Sequence, residues 1–177
     1  MTALREICSY RNENITVEEA DSLPIYISTD SMEPNRGSVS SSTLPTSGKV
    51  KHFYAGDTLI SNIRPYFKKI WHAEMDGSCS NDILIFEPKN CSGDFLYWAL
   101  NSDGFFDYMT KTAKGTKMPR GDKNSIMEYK IRIPSTEDQV SICVIMSSIQ
   151  NKIEVNNQIN DYLAAWHRFP KGRFHQT

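Results

Sequence analysis

Two short segments of the sequence concentrate basic side chains that could bind phosphate groups. They contain, in order, Arg64, Lys68, Lys69, Lys114, Lys117, Arg120 and Lys123. The first segment directly follows an apolar run, and the second lies in a stretch that contains Gly and Pro. Guanidinium and ammonium groups on such loops can reach the phosphates of a polyanion. The two segments therefore predict a phosphate-binding surface of mobile cations.

The charge of the chain is segregated along the sequence. The formal net charge of the 177 residues is -1. Residues 49–73 nevertheless carry five basic residues against one acidic residue, and residues 111–132 carry seven against two. Local potential, rather than net charge, attracts phosphates. The alternative, two solvated basic loops without a ligand, fits the charge pattern equally well.

The sequence lacks the patterns of several common enzyme sites. It contains no glycine-rich phosphate loop after a strand, no paired-histidine zinc motif and no G-x-S-x-G turn. One catalytic pattern remains, because Asp82, Glu87 and Lys89 have the residue types of a metal-dependent nuclease. Pro88 would interrupt the strand that should aim Glu87 and Lys89 at one metal ion. A turn at the strand end is the simpler interpretation.

The composition restricts the class of protein. With 39% hydrophobic and 23% charged residues, it is typical of a soluble globular chain. The sequence has no apolar run long enough to span a bilayer and no secretory signal, so we expect a cytoplasmic protein without a membrane partner. Four scattered cysteines form no C-x-x-C pair, and we expect reduced thiols and no metal site. They are Cys8, Cys79, Cys91 and Cys143.

Short strands are expected in the first half of the chain. A β-rich piece at 24–29 precedes a polar loop at 32–49. Runs of Ile, Leu, Phe and Thr at 52–63 and 80–88 predict two strands. Trp71, behind the first basic segment, is expected to pack against the domain.

Helices and a last strand follow. Residues 92–115 predict two short helices, with Ser92 or Asp94 as a cap and a break at Gly104. Their apolar positions are typical of a core helix. The last strand is predicted over 126–134.

A long helix is predicted after this strand, over 135–168. Thr136 and Gln139 form a capping-box pattern, and apolar residues then recur every three or four positions until Pro170. About 30 residues at 1.5 Å rise make a rod of about 45 Å, longer than the domain needs. We therefore expect it to pair with another helix, with Asn156 fixing the register. The alternative is a helix packed wholly on its own domain.

Five motifs in the same order carry a family resemblance. They are "YISTDSMEPNRG", "AGDTLISNIRPYFKKIW", "GSCSNDILIFEP", "KGTKMPR" and "IRIPSTEDQ" running into "NKIEVNNQINDYL". This order closely resembles the specificity subunit of type I restriction-modification systems, over residues 1 to about 165. The resemblance implies a target recognition domain of mixed α/β (α+β) structure over 1–134. A coiled-coil helix then covers 135–168 and an irregular tail 169–177.

The resemblance also implies a function without catalysis by this chain. The recognition domain would read double-stranded DNA in defence against foreign DNA, and the helix would pair antiparallel with a second helix. The chain would position methyltransferase subunits, which use S-adenosylmethionine, and a restriction subunit, which uses ATP. These cofactors and magnesium are expected only in the partner subunits.

Carried onto this sequence, the resemblance assigns candidate site residues. The stretches "IRPYFKK" and "GTKMPR" would face DNA, which adds Tyr66 and Thr116 to the basic residues above. The helix-pairing surface would consist of Ile142, Ile149, Ile153, Asn156, Ile159 and Leu163.

The sequence departs from the family pattern in two ways. It holds one recognition domain and one helix, half of the usual subunit, so it is expected to form a homodimer or to pair with another specificity half. A symmetric pair would read two inverted half-sites. After Ala165 the helical pattern is lost, and the product is expected to be truncated or frame-shifted there. A further hypothesis is an interaction remnant that binds partner subunits without binding DNA.

Overall fold

The computed structural model describes residues 1–167, with the helix side chains described as far as residue 166. The chain divides into two compact units, residues 1–136 and residues 137 onward. The expected irregular tail over 169–177 lies outside the described residues.

The first unit is built from ten short strands. They are β1 Thr2–Ala3, β2 Cys8–Tyr10, β3 Asn14–Thr16, β4 Tyr26–Ile27, β5 Lys49–Phe53, β6 Thr58–Ser61, β7 Ile70–His72, β8 Gly77–Cys79, β9 Ile83–Pro88 and β10 Lys130–Ile131. One four-stranded sheet has the order β2-β9-β6-β7 and is antiparallel throughout. A second has the order β3-β5-β8-β4, in which β4 and β8 run parallel. β1 pairs with β10 in a third, two-stranded sheet.

The strand β9 separates two apolar cores. Successive side chains of a strand point to opposite faces. Leu84 and Phe86 accordingly lie in one core, and Ile83 and Ile85 lie in the other. Both faces are covered, so the strand reads as a continuous apolar run rather than an alternating one. The predicted strand over 80–88 is thereby confirmed from Ile83 onward, where β9 begins.

The described residues also form five α-helices. They are α1 Val17–Ala20, α2 Gly93–Leu100, α3 Asp103–Lys111, α4 Lys123–Met127 and α5 Thr136–His167. The predicted pair of short helices is confirmed, and Ser92 caps the first by accepting a hydrogen bond from Phe95 N. The predicted break at Gly104 is wrong. Ser102 caps α3 instead, accepting from Phe105 N at 3.3 Å, and Gly104 lies inside the helix.

Two strand predictions need correction. The run 52–63 is not one strand, because Gly56 has φ +90 and turns the chain between β5 and β6. The side chain of Asp57 fixes this turn by accepting from Tyr54 N at 2.9 Å. The predicted strand 126–134 begins as helix α4, because Asp122 accepts from Ser125 N and starts a helical turn. Only β10 remains as strand there.

The described residues of the second unit lie in the long helix α5. Its extent of 32 residues confirms the predicted helix, and Glu137 and Asp138 lie in its first turn, where the helix dipole favours acidic side chains. All six residues predicted to pair with another helix are exposed. The coiled-coil character of the helix stays a prediction. Within residues 1–167, no helix is both long and apolar enough to cross a membrane.

Candidate nucleic-acid interface

The structure brings the two basic segments of the sequence together. The first forms a turn over 64–69, between β6 and β7, and the second forms a loop over 114–120, between α3 and α4. Arg64 N donates a hydrogen bond to Pro119 O at 2.8 Å, which joins the turn to the loop. Residues far apart in sequence therefore share one surface.

The loop 114–120 is closed on itself. Lys114 and Arg120 exchange two backbone hydrogen bonds, of 2.8 and 2.9 Å. Beyond the loop, Gly121 N donates to Asn62 O at 3.2 Å, and a Cβ on Gly121 would lie 2.6 Å from the Cε of Met109. The loop is thus a fixed hairpin rather than the mobile segment expected from its Gly and Pro content.

A third loop, over 33–38, joins this surface and was not predicted from the sequence. Asn35 N donates to Phe67 O at 2.7 Å, and Arg36 N donates to Lys68 O at 3.0 Å. The loop and the turn 64–69 are thereby held side by side. A sequence signal existed in the Asn-Arg-Gly run of the polar segment, which is typical of a turn. This signal did not indicate that the loop lies beside the turn 64–69.

The backbone at this junction is strained. Among residues 1–167, the non-glycine residues with positive φ are Asn35, Arg36, Arg64 and Lys68, at 54, 62, 49 and 52°. Each such residue costs roughly 1–2 kcal/mol relative to ordinary backbone. Strained residues persist only where the surrounding contacts hold them, and they concentrate at functional sites. Their clustering on two adjoining segments marks this surface as the candidate site.

Two aromatic rings project from the turn 64–69. Pro65 is buried and anchors the turn, whereas Tyr66 and Phe67 are 46% and 37% exposed, with ring centroids 4.8 Å apart. Tyr66 thus lines the edge of the surface. Trp71 packs edge-on against Phe53 at 5.8 Å, which confirms the expected packing role.

Two of the three basic side chains of the turn bind other residues of the chain. Lys68 Nζ lies 2.7 Å from Asp103 Oδ1. Lys69 Nζ donates to Thr29 O at 2.7 Å. The guanidinium nitrogen Nε of Arg64 is buried and has no hydrogen-bond partner within residues 1–167. The two lysine side chains are therefore positioned rather than freely mobile.

The basic side chains around the loop 114–120 differ in whether they form ion pairs within the chain. Lys114 forms an ion pair with Asp122, and Arg120 Nη2 lies 3.0 Å from Asp82 Oδ1. Lys117, in contrast, is exposed and has no ion-pair partner in the described part of the chain. Lys117 is therefore the side chain of this loop best placed to reach a phosphate.

Other residues near the loop complete the surface. Thr116 is exposed beside Lys117, and Met118 is 50% exposed. Lys123 was expected on the loop, but it is the first residue of α4. Its Nζ lies 5.9 Å from the ring centroid of Tyr10.

The ion pairs hold two carboxylates in their charged form. Hydrogen bonds from Lys68 and then Arg36 lower the pKa of Asp103 to about 2. The hydrogen bond from Lys114, followed by that from Ser125 N, lowers the pKa of Asp122 to about 2. Both carboxylates are ionised at neutral pH, and these pairs are lost only as pH falls through about 2.

The residues of the alternative nuclease pattern contact different cations. Asp82 pairs with Arg120, whereas Glu87 Oε1 lies 3.0 Å from Arg11 Nη2. Within residues 1–167, no group of three or more His, Cys, Asp or Glu residues is arranged to hold a metal ion.

A sequence model of one protein family matches residues 2–165 of the chain. That family is described as the type I restriction modification DNA specificity domain. The chain belongs to this type I specificity family. The resemblance seen in the order of the five sequence motifs is thereby confirmed.

Two curated members of the type I specificity family are similar to the chain. The EcoDI specificity subunit from Escherichia coli is 28% identical over 116 residues, which are 64% of this chain and 26% of that subunit. The HindI specificity subunit from Haemophilus influenzae is 30% identical over 128 residues, which are 68% of this chain and 28% of that subunit. The matched region thus covers about a quarter of each relative's length.

Two solved structures share the fold of the chain. The HsdS subunit from Thermoanaerobacter tengcongensis superimposes with a TM-score of 0.69 at 20% identity, over 99% of this chain and 50% of that one. A chain from a structure of a type I R-M system gives a TM-score of 0.71 at 18% identity, with the same coverage. The predicted mixed α/β fold with a long C-terminal helix is therefore confirmed.

Proposed function

We propose that the chain binds double-stranded DNA sequence-specifically, as the recognition component of a type I restriction-modification complex. The observation that carries the proposal is the junction of the turn 64–69 with the loops 33–38 and 114–120. It combines fixed cations, exposed aromatic rings and strained backbone on one surface. Membership of the type I specificity family supports DNA as the polyanion.

The two kinds of side chain on this surface have different tasks. Lys117 and the other basic residues contact phosphates, which supply affinity and register without distinguishing sequences. Tyr66, Phe67 and Met118 present apolar surface that can contact base edges, such as the methyl group of thymine. Base discrimination therefore depends on the turn and the tip of the loop.

The proposal extends to the long helix α5. Ile142, Ile149, Asn156 and Leu163 recur every seven residues, as one seam position of a coiled coil does. Ile153 and Ile159 flank this seam. An exposed apolar helix face of this kind is stabilised by a second helix, from another copy of the chain or another specificity half.

The complete assembly supplies the chemistry. In this proposal the chain performs no catalysis, carries no cofactor and acts on DNA in the cytoplasm. It positions methyltransferase subunits that use S-adenosylmethionine and a restriction subunit that uses ATP and magnesium. The basis is the match to the type I specificity family, together with the sequence's lack of common enzyme motifs.

Selection from a randomised duplex pool tests the proposed function. The purified chain is incubated with the pool at two salt concentrations, and the bound DNA is sequenced. We expect a motif that stays enriched at the higher salt, because phosphate contacts weaken with salt for all sequences alike. A split, inverted motif indicates a paired chain, and a single short motif indicates an unpaired one. Bound DNA without any enriched sequence would contradict the proposal.

A further inference from the structure

One carboxylate on the candidate DNA surface collects cations from two different segments. Asp103 lies in the first turn of α3. Its Oδ1 accepts from Arg36 Nη2 at 2.7 Å and from Lys68 Nζ at 2.7 Å. The side chain of Asp103 is 70% exposed, and those of Arg36 and Lys68 are each 26% exposed, so the two ion pairs are open to solvent. An arginine and a lysine that meet at one anionic oxygen form the arrangement that proteins use for phosphate groups.

The arginine of this group is held in place without the carboxylate. Arg36 Nε donates to Asn101 O at 2.8 Å, and its guanidinium lies 5.6 Å from the ring centroid of Phe106. Arg36 and Lys68 are also joined through their backbones, by the 3.0 Å bond from Arg36 N to Lys68 O. A second anion at the position of the Asp103 oxygen would therefore find the guanidinium of Arg36 already oriented and Lys68 on the adjoining backbone.

We propose that Arg36 and Lys68 form a phosphate site for the DNA backbone and that Asp103 occupies this site in the free chain. The inference rests on the proposed DNA-binding function. On binding, a phosphate oxygen replaces the Asp103 carboxylate as the acceptor of both donors. No covalent bond changes, and only the hydrogen-bond partners are exchanged.

This competition lowers affinity for DNA of every sequence. Backbone contacts are the main source of non-specific binding. Because the Asp103 carboxylate already neutralises Arg36 and Lys68, a DNA phosphate gains less free energy by contacting these two cations. Discrimination then depends more on the base contacts of the turn and loops, so Asp103 favours specificity over total affinity.

The test compares a substitution of Asp103 with the same substitution of a matched residue on the same helix. Asp107 is exposed and lies one turn further along α3, and its side chain has no ion pair or hydrogen bond within residues 1–167. Asp103→Asn and Asp107→Asn thus remove the same charge from neighbouring positions. Ser102 remains as the cap of α3 in both variants, and thermal melting of each checks that the chain stays folded.

Binding of a non-target duplex of about three helical turns is measured by fluorescence anisotropy across a salt series. We expect Asp103→Asn to raise the association constant about fivefold at low salt, and to steepen its salt dependence by about one unit of slope. Asp107→Asn should change the constant less than about twofold, because it releases no cation and removes only one exposed charge. Adding Lys68→Ala should reduce the gain from Asp103→Asn.

Each outcome decides the inference. If Asp103→Asn and Asp107→Asn raise the affinity equally, the effect is net charge and the phosphate site is refuted. Weaker binding by Asp103→Asn also refutes it. If neither the wild-type chain nor the variants bind any duplex, the proposed function and this inference fail together. If the wild-type chain enriches a motif while the two variants behave alike, only the inference fails.

Discussion

Replacing Arg11 with alanine is expected to lower the free energy of unfolding by about 3 kcal/mol, because it leaves a buried carboxylate without its cation. Arg11 Nε and Nη2 lie 2.8 and 3.2 Å from the two carboxylate oxygens of Asp57, whose side chain is 2% exposed. The guanidinium also lies 4.7 Å from the ring centroid of Tyr54 and pairs with Glu87. Urea denaturation followed by circular dichroism measures the change.

A surface pair provides the control for this prediction. Arg5 forms an ion pair with Glu128, and their side chains are 59% and 47% exposed. Arg5→Ala should therefore cost less than about 1 kcal/mol. If Arg11→Ala costs no more than Arg5→Ala, the buried pair does not stabilise the turn between β5 and β6 as the structure indicates.

Tyr66→Ala and Lys117→Ala are expected to separate base contacts from phosphate contacts. Tyr66→Ala should weaken binding of the selected duplex about tenfold or more and barely affect a shuffled one, because the lost contact is to a base edge. Lys117→Ala should weaken both duplexes alike and reduce the salt slope by about one, because a phosphate contact is lost. Anisotropy titrations of both duplexes over a salt series distinguish the two patterns.

Met75 offers a matched control for the apolar truncation. It is 43% exposed and lies between β7 and β8, at the opposite end of the β6–β7 hairpin from Tyr66. Met75→Ala should leave the affinity for both duplexes unchanged. A uniform loss on Tyr66→Ala, equal for the selected and shuffled duplexes, would show that Tyr66 does not read bases.

Much of the fold could be predicted from the sequence, because residues that are neighbours in the chain determine it. The apolar run of β9, the cap at Ser92 and the long apolar repeat of α5 each depend on neighbouring residues. The misplaced break at Gly104 has a local cause as well. Ser102 satisfies the first amides of α3, and this cap determines the helix start more strongly than the glycine does.

The sequence indicated which residue types form the candidate site, but it did not indicate how they contact one another. Lys68 and Arg120 were identified as basic residues, but their aspartate partners lie on distant segments of the sequence. The contribution of Arg36 depends on backbone bonds between the loop 33–38 and the turn 64–69. Composition and periodicity contain no information on such pairings, so the neutralisation of these cations could not be predicted.

Hydroxyl-radical footprinting of the chain, with and without its selected duplex, tests the central claim that these loops face DNA. Tyr66, Phe67 and Met118 are exposed and readily oxidised, as is Met75 at the far end of the hairpin. We expect the duplex to slow oxidation of Tyr66, Phe67 and Met118 and to leave that of Met75 unchanged. Protection of Met75, with Tyr66 and Met118 oxidised at their original rates, would place DNA on another face and contradict this claim.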